Sequence, residues 1–363
     1  MLMKKIKNLF ILILAFVFMS DYALAEPIPP QYIPYFNQNA SRLNIPSVTM
    51  QTSGYFNQLE SYKQGFQNMD SYMLLKKDER IELRERRRET SDLKDNSVLT
   101  PMKIVDEYRG IWFRPYGSFE KVQLENGPDV ANNSYGAYVG FDTEMVEFGK
   151  GWSGNVGLFG GYNGSHQTYE GVGIYMNGGS FGAVGSVYKG NYFAGITTSA
   201  GVHTGTASAR PNDYDVFIVA GGVAAKTGYN LEIKKGSVIV QPSLGVSYTF
   251  VSSFDYNTSI GKVRPDPLSA IQIEPTVKLV WNWKNKWQPY ALFSADWNIM
   301  DKTDVDLISY QLPQISVKPY VKYGLGVRKR WNDRFAFSEQ NYAYCGGRRG
   351  FGVNVDLKMA VGK

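Results

Sequence analysis

The sequence predicts an all-β fold, a twelve-stranded antiparallel outer-membrane β-barrel, preceded by a short linker and an α-helical segment. Three observations carry this prediction. From Ile111 to Val361 the chain is a series of stretches in which every second residue is apolar. Its N-terminus has the layout of an export signal. Its connections read as tight turns alternating with longer loops.

The alternation has a period of two, which is the signature of a strand with two unlike faces. Ile271, Ile273, Val277, Leu279, Trp281 and Trp283 share one face, and Gln272, Glu274, Thr276, Lys278 and Asn282 share the other. Val317, Val321, Tyr323, Leu325 and Val327 alternate likewise with Lys318, Tyr320, Lys322 and Arg328. In a soluble sandwich the polar face would meet water and the apolar face a core. In a membrane barrel the apolar face meets lipid and the polar face lines a lumen.

Candidate strands run over 111–124, 132–148, 152–168, 174–189, 191–207, 213–233, 237–255, 270–284, 287–301, 314–331, 335–346 and 350–361. Each exceeds the ~9–11 residues that a tilted strand needs to cross a bilayer, whereas soluble strands are usually ~5–6 residues long. The joints Gly149–Gly151, Lys189–Asn191, Lys234–Gly236, Lys284–Lys286 and Asn332–Arg334 read as tight turns. Glu125–Ala131, Thr168–Gly173, Ser208–Asn212, Asp255–Ser269 and Lys302–Pro313 read as longer loops, with the length of the joint at Cys345–Gly350 left open. Sorting of this kind predicts a barrel with its short turns in the periplasm and its long loops facing outside. Pro115, Pro242, Pro275, Pro289 and Pro319 are read as lying near strand starts, where a missing N–H costs least.

The N-terminus bears on the compartment. Lys4, Lys5 and Lys7 precede an apolar run from Leu9 to Met19, and Ala23 and Ala25 flank Leu24 before Glu26. This is the layout of a secretory signal peptide over 1–25, cut before Glu26. The apolar run is shorter than a spanning helix requires. The formal charge of +6 includes +2 from this leader (three Lys against Asp21), so +4 remains on the mature chain. That excess is too mild and scattered to suggest nucleic acid as a partner. The lone Cys345 excludes an internal disulfide.

Aromatic residues fit a lipid interface. Trp281, Trp283 and Trp287 flank the basic Lys284–Lys286 turn, with Trp297 further along, as candidates for an aromatic girdle. Catalysis has little to stand on. His166 and His203 have no Ser, Asp or Glu at a spacing that suggests a triad, and no metal-ligand spacing occurs. No enzyme activity and no cofactor are expected.

Residues 26–107 differ from the barrel region 108–363. Positions 26–54, rich in Pro, Asn, Gln and Tyr in their first half, read as an extended linker. Over 55–107 a helical, charge-rich segment is predicted. Phe56, Leu59, Tyr62, Phe66, Met69 and Met73 recur at three and four residues, an apolar helical stripe. Lys76–Asp95 follows with eight basic and seven acidic residues, and Glu82 and Arg86 form a supportive i,i+4 pair. A helix of twenty residues would be about 30 Å long, near the bilayer thickness. Arg84, Glu85, Arg86, Arg87, Arg88 and Glu89 are therefore the expected pore-threading helix, paired with lumen residues such as Glu274, Lys278, Lys318, Lys322 and Arg328. The alternative is a solvated periplasmic helix with a short coiled-coil seam.

Gly110–Phe119, Asn126-Gly127-Pro128, Tyr135–Asp142 and the Gln288-Pro289-Tyr290 and Lys318-Pro319-Tyr320 strand starts resemble the translocator barrel of autotransporters, or type V secretion proteins. The similarity covers about residues 108–361 and includes the strand count. It implies a barrel that exports or displays its own N-terminal segment, here unusually short. It also implies the secretion translocon and the barrel-assembly machinery as partners in biogenesis, in a barrel expected to be monomeric. Val353, Val355, Leu357 and Met359 on the last strand resemble the C-terminal assembly signal, although the chain ends Val361-Gly362-Lys363 where the family usually ends on an aromatic. A channel or structural barrel whose N-terminal segment stays periplasmic is the alternative.

Overall fold

The computed structural model describes residues 45–73, 110–124, 129–169, 172–209, 212–233, 237–257, 262–283, 286–300, 305–307, 310–311, 317–331 and 335–361. Among these are one helix, α1 (Ile45–Met73), and twelve long strands. The strands are β1 (Gly110–Gln123), β2 (Asp129–Asp142), β3 (Trp152–Tyr169), β4 (Val172–Lys189), β5 (Tyr192–Ala209) and β6 (Asn212–Tyr229), followed by β7 (Val238–Ser253), β8 (Leu268–Trp281), β9 (Trp287–Met300), β10 (Tyr320–Arg330), β11 (Phe335–Gly346) and β12 (Arg348–Ala360). Each is antiparallel to the next. β12 returns to pair with β1, from Gly110↔Ala360 to Val122↔Arg348, so the sheet closes and leaves no edge.

The two faces separate as the alternation requires. On β1, Trp112, Arg114, Tyr116, Ser118, Glu120 and Val122 are buried inward, while Ile111, Phe113 and Phe119 are exposed outward. Phe181, Leu158 and Leu325 are 70%, 68% and 68% exposed on the outer surface, an arrangement that suits lipid and would be unfavourable in water. No helix among the described residues is apolar and long enough to cross a membrane. The closed ladder leads to a concrete expectation. Unboiled protein in detergent should migrate differently from boiled protein on a gel, because the hydrogen bonds of a closed barrel persist until heated. Identical migration would argue against a closed barrel.

Several connections differ from the sequence reading. At Thr168–Gly173 and Ser208–Asn212, expected to be longer loops, the strands stay paired almost to the joint: Tyr169 pairs with Val172 and Ala209 with Asn212. The β11–β12 joint is also tight, with Gly346 at φ 102° and Gly347 N donating to the Pro319 carbonyl. On the opposite end, expected to carry only short turns, Val146–Glu147 and Leu231–Ile233 add small hairpins to β3 and β7. Loop sorting therefore rests on two connections, between β7 and β8 and between β9 and β10. These pair with each other in a small separate sheet, in which Val263 faces Leu307. Composition misled here because residues common in loops, Gly173, Ser208, Asn212 and Asp213 among them, continue to form ladder pairs near the strand tips.

Proline placement differs too. Pro115 and Pro275 lie inside β1 and β8 rather than at their starts. The ladder omits Arg114-Pro115 against β12 and Glu274-Pro275 against β9, then resumes in the same register. The missing N–H is thus accommodated by a local gap on one side of the strand.

Candidate functional site

α1 begins at Ile45, about ten residues before the expected helical segment, with Pro46 in its first turn, where a missing N–H removes no intrahelical bond. Its 29 residues span about 44 Å at the usual helical rise. Every residue from Met50 to Met73 is buried or half-buried, polar and apolar alike. The expected stripe of Leu59, Tyr62, Phe66, Met69 and Met73 is buried, and so are Gln58, Ser61 and Gln64 on other sides. Such a mixed helix would gain little from either water or lipid on all sides. It suits a wall that is itself polar.

That wall is the inner face of the barrel. Gln51 Nε2 donates to the Asp266 carbonyl at 2.5 Å, and Ser53 shares a hydrogen bond with Ser165. Tyr55 donates to Asn298 at 2.7 Å, Gln58 to Ser199 at 2.6 Å and Tyr62 to the Tyr248 carbonyl at 2.9 Å. Asp70 pairs with Lys226 at 2.7 Å and Lys278 at 3.5 Å. Arg328 donates to the Ser71 carbonyl at 3.0 Å, and Asn230 caps the Met73 carbonyl. Partners on β3, β5, β6, β7, β8, β9 and β10 surround the helix, which therefore lies in the lumen.

The helix is also directed. Gln51, Ser53 and Tyr55 meet residues near the end that carries the β7–β8 and β9–β10 connections. Asn68, Asp70, Ser71 and Met73 meet Asp142, Lys226, Arg328 and Asn230 near the opposite end. Gly110, the start of β1, lies at this second end too, paired with Asp142 and Ala360. Both ends of the 74–109 connection therefore meet the described structure at the same end of the barrel.

Buried charge is organised on two sides of α1. Arg114 donates to Asp356 at 2.6 Å and continues to the Gln64 carbonyl and Asn68, with its guanidinium over Trp112. Arg348 grips Glu120 with two bonds, at 2.5 and 2.7 Å, donates to Tyr320, and lies 4.2 Å from the Phe56 ring centroid. Room for the helix comes partly from glycine. A Cβ on Gly65 would come within 2.5 Å of Thr197 Oγ1, and one on Gly140 would overlap the Trp112 indole that lies across it. A remaining space of about 110 Å³ lies on the other side of α1, lined in part by Glu60, Lys63, Glu274, Lys278 and Lys322.

Sequence-predicted residues fall as follows. Ala23, Ala25, Glu26 and Arg84–Glu89 lie outside the described residues. The described helix in the lumen is Ile45–Met73, and most of the polar strand residues expected to hold Arg84–Glu89 have partners among the described residues. Lys322 pairs with Glu274 at 2.5 Å, Lys278 and Arg328 bind α1, and Lys318 is exposed beyond the lumen. Trp281, Trp283, Trp287 and Trp297 all lie on the outward register, but Trp297 is ten positions along β9 from Trp287, towards the other end. Sequence reading missed Trp152 and Trp331, which join the outward aromatics near the first end's opposite rim. Val353, Val355, Leu357 and Met359 face outward on β12. His203 is buried on the lumen side, 2.8 Å from Asn163 Oδ1, and His166 stacks on Tyr175. Arg114 and Arg348 could have been singled out only by their inward register within β1 and β12, since nothing local marks them.

A family model described as an autotransporter beta-domain matches residues 111–338. No curated protein matches the chain by sequence. Among solved structures, the β domain of the Bordetella autotransporter BrkA superposes with a TM-score of 0.56 at 16% identity, over 70% of this chain and 100% of that one. The transport unit of AIDA-I from Escherichia coli gives 0.58 at 14% identity, over 75% and 96%. The translocator domain of NalP from Neisseria meningitidis gives 0.58 at 10% identity, over 78% and 96%. At these identities the likeness is one of fold.

Proposed function

The chain belongs to the autotransporter β-domain family as an outer-membrane translocator barrel, and from that premise we propose that it carries its own short N-terminal segment to the cell surface. The direction of α1 supports this reading. Its N-terminal part meets the barrel end with the two largest connections, and its C-terminal part meets the end where β1 starts. With the large connections outside, the Ile45 end of α1 faces the cell surface, its Met73 end faces the periplasm, and α1 fills the pore between them. The near-balanced charged run Lys76–Asp95 is then not needed to fill the lumen, which α1 already occupies. Signal cleavage before Glu26, delivery by the secretion translocon and recognition of β12 by the barrel-assembly machinery complete the route. The outward Trp281, Trp283 and Trp287 serve as part of the interfacial girdle.

Surface labelling tests this directly. In a Cys345→Ser background, Ser41→Cys should react with a membrane-impermeant maleimide on intact cells. Labelling only after the outer membrane is permeabilised would instead support the channel or structural barrel with a periplasmic N-terminus.

A further inference from the structure

The outer surface is not uniformly bulky. On the outward faces of β3, β4 and β5 lies a depression of about 500 Å³, walled by Val156, Leu158, Ala183, Gly185, Ile196 and Thr198. These residues are direct ladder neighbours: Gly185 pairs with both Val156 and Ile196, and Ala183 with both Leu158 and Thr198. The floor is open because small residues stand there, and not because neighbours demand it. A Cβ on Gly185 would meet nothing nearer than Ile196 Cγ2 at 4.0 Å. A lipid-facing strand could have carried Val or Leu at this place.

The depression leads towards a polar end. Lys189 lies on the same strand and same face as Gly185, four residues further, or about 13 Å at the usual strand rise. Its ammonium is 5.2 Å from the Trp152 ring centroid, and Trp152 and Tyr192 are its ladder partners on the two sides. Tyr192 is itself exposed and packs on Tyr229 at 4.4 Å. An exposed cation between amphipathic aromatics is the chemistry found at headgroup depth, and the apolar depression lies further along the same strands, at hydrocarbon depth.

We propose that this surface binds one glycerophospholipid. Its phosphate meets Lys189, its ester region lies against Trp152 and Tyr192, and one acyl chain fills the depression over Ala183 and Gly185. The occupant follows from charge complementarity at one end and from an apolar depression of about 500 Å³ at the other, on a face that meets lipid throughout.

Native mass spectrometry of the full chain provides the test, with dioleoyl-phosphatidylglycerol as the probe during stepwise detergent washing. Wild type should retain one lipid under washing that strips the remainder. The filled variant Ala183→Leu/Gly185→Leu and the charge variant Lys189→Gln should both lose it at milder washing, with their heat-dependent gel shift intact. Lys189→Gln alters only an exposed side chain, so it gives a reading even if the filled variant fails to fold. Equal lipid retention in Lys189→Gln and wild type overturns the site. Loss in Lys189→Gln with full retention in a folded filled variant also overturns it, since the lipid would then not use the depression.

Discussion

Removing Ile45–Met73 should raise the ion conductance of the barrel severalfold in planar bilayers, whereas removing Lys76–Asp95 should leave it near that of the full chain. α1 touches the wall on every side, from Ser165 on β3 to Arg328 on β10. A small space beside Glu60 and Lys63 lies next to it. Without the helix the lumen is a water-filled bore lined by Lys226, Glu274, Lys278 and Lys322. The paired deletions distinguish the two candidate plugs, and the gel shift verifies that each barrel has closed. Equal conductance with and without Ile45–Met73 would show that this helix does not obstruct the pore. A rise on deleting Lys76–Asp95 alone would return the charged run to the lumen.

Arg348→Met should lower the temperature at which the folded gel species disappears more than any substitution of an outward residue. Arg348 and Glu120 are both buried, and their two-bond contact is reinforced by Tyr320 and by the rings of Phe56 and Tyr344. Leaving one charge of such a pair buried without its partner costs about 3–5 kcal/mol. Glu120 keeps Asn132 at 2.8 Å, which offsets only part of this. Glu120→Gln/Arg348→Met should recover a large part of the loss, because the isolated carboxylate is gone. A cycle in which the two single losses simply add would mean that the residues act independently. The cation also contacts Phe56, so the single variant should loosen α1 and raise conductance alongside the loss of stability.

Much of this protein was legible in the sequence because its environment has two sides. Lipid outside and a polar lumen inside impose the period of two on every strand. Ile271, Ile273, Val277 and Leu279 against Gln272, Glu274, Thr276 and Lys278 therefore reported strand, register and face together. Loop lengths were less legible: Thr168–Gly173 and Ser208–Asn212 look like loop by composition, yet the strands there stay paired up to Tyr169↔Val172 and Ala209↔Asn212. The helix was seen only in part. The stripe from Leu59 to Met73 marked an apolar face, but Ile45–Gly54 carries no such mark.

The sequence by itself determined the strands, the two faces and the closure of an antiparallel barrel, since these follow from local alternation and from connections short enough to join neighbours. Only the tertiary structure decided which segment occupies the lumen and which charges hold it there. Gln58, Gln64 and Asn68 look like ordinary solvated helix positions until Ser199, Arg114 and Asp142 are brought to them from strands far away in the chain. A polar helix and a polar wall leave no periodic signal of their own contact. Their match is a matter of hydrogen-bond geometry across the bore, and it exists only once the barrel has closed.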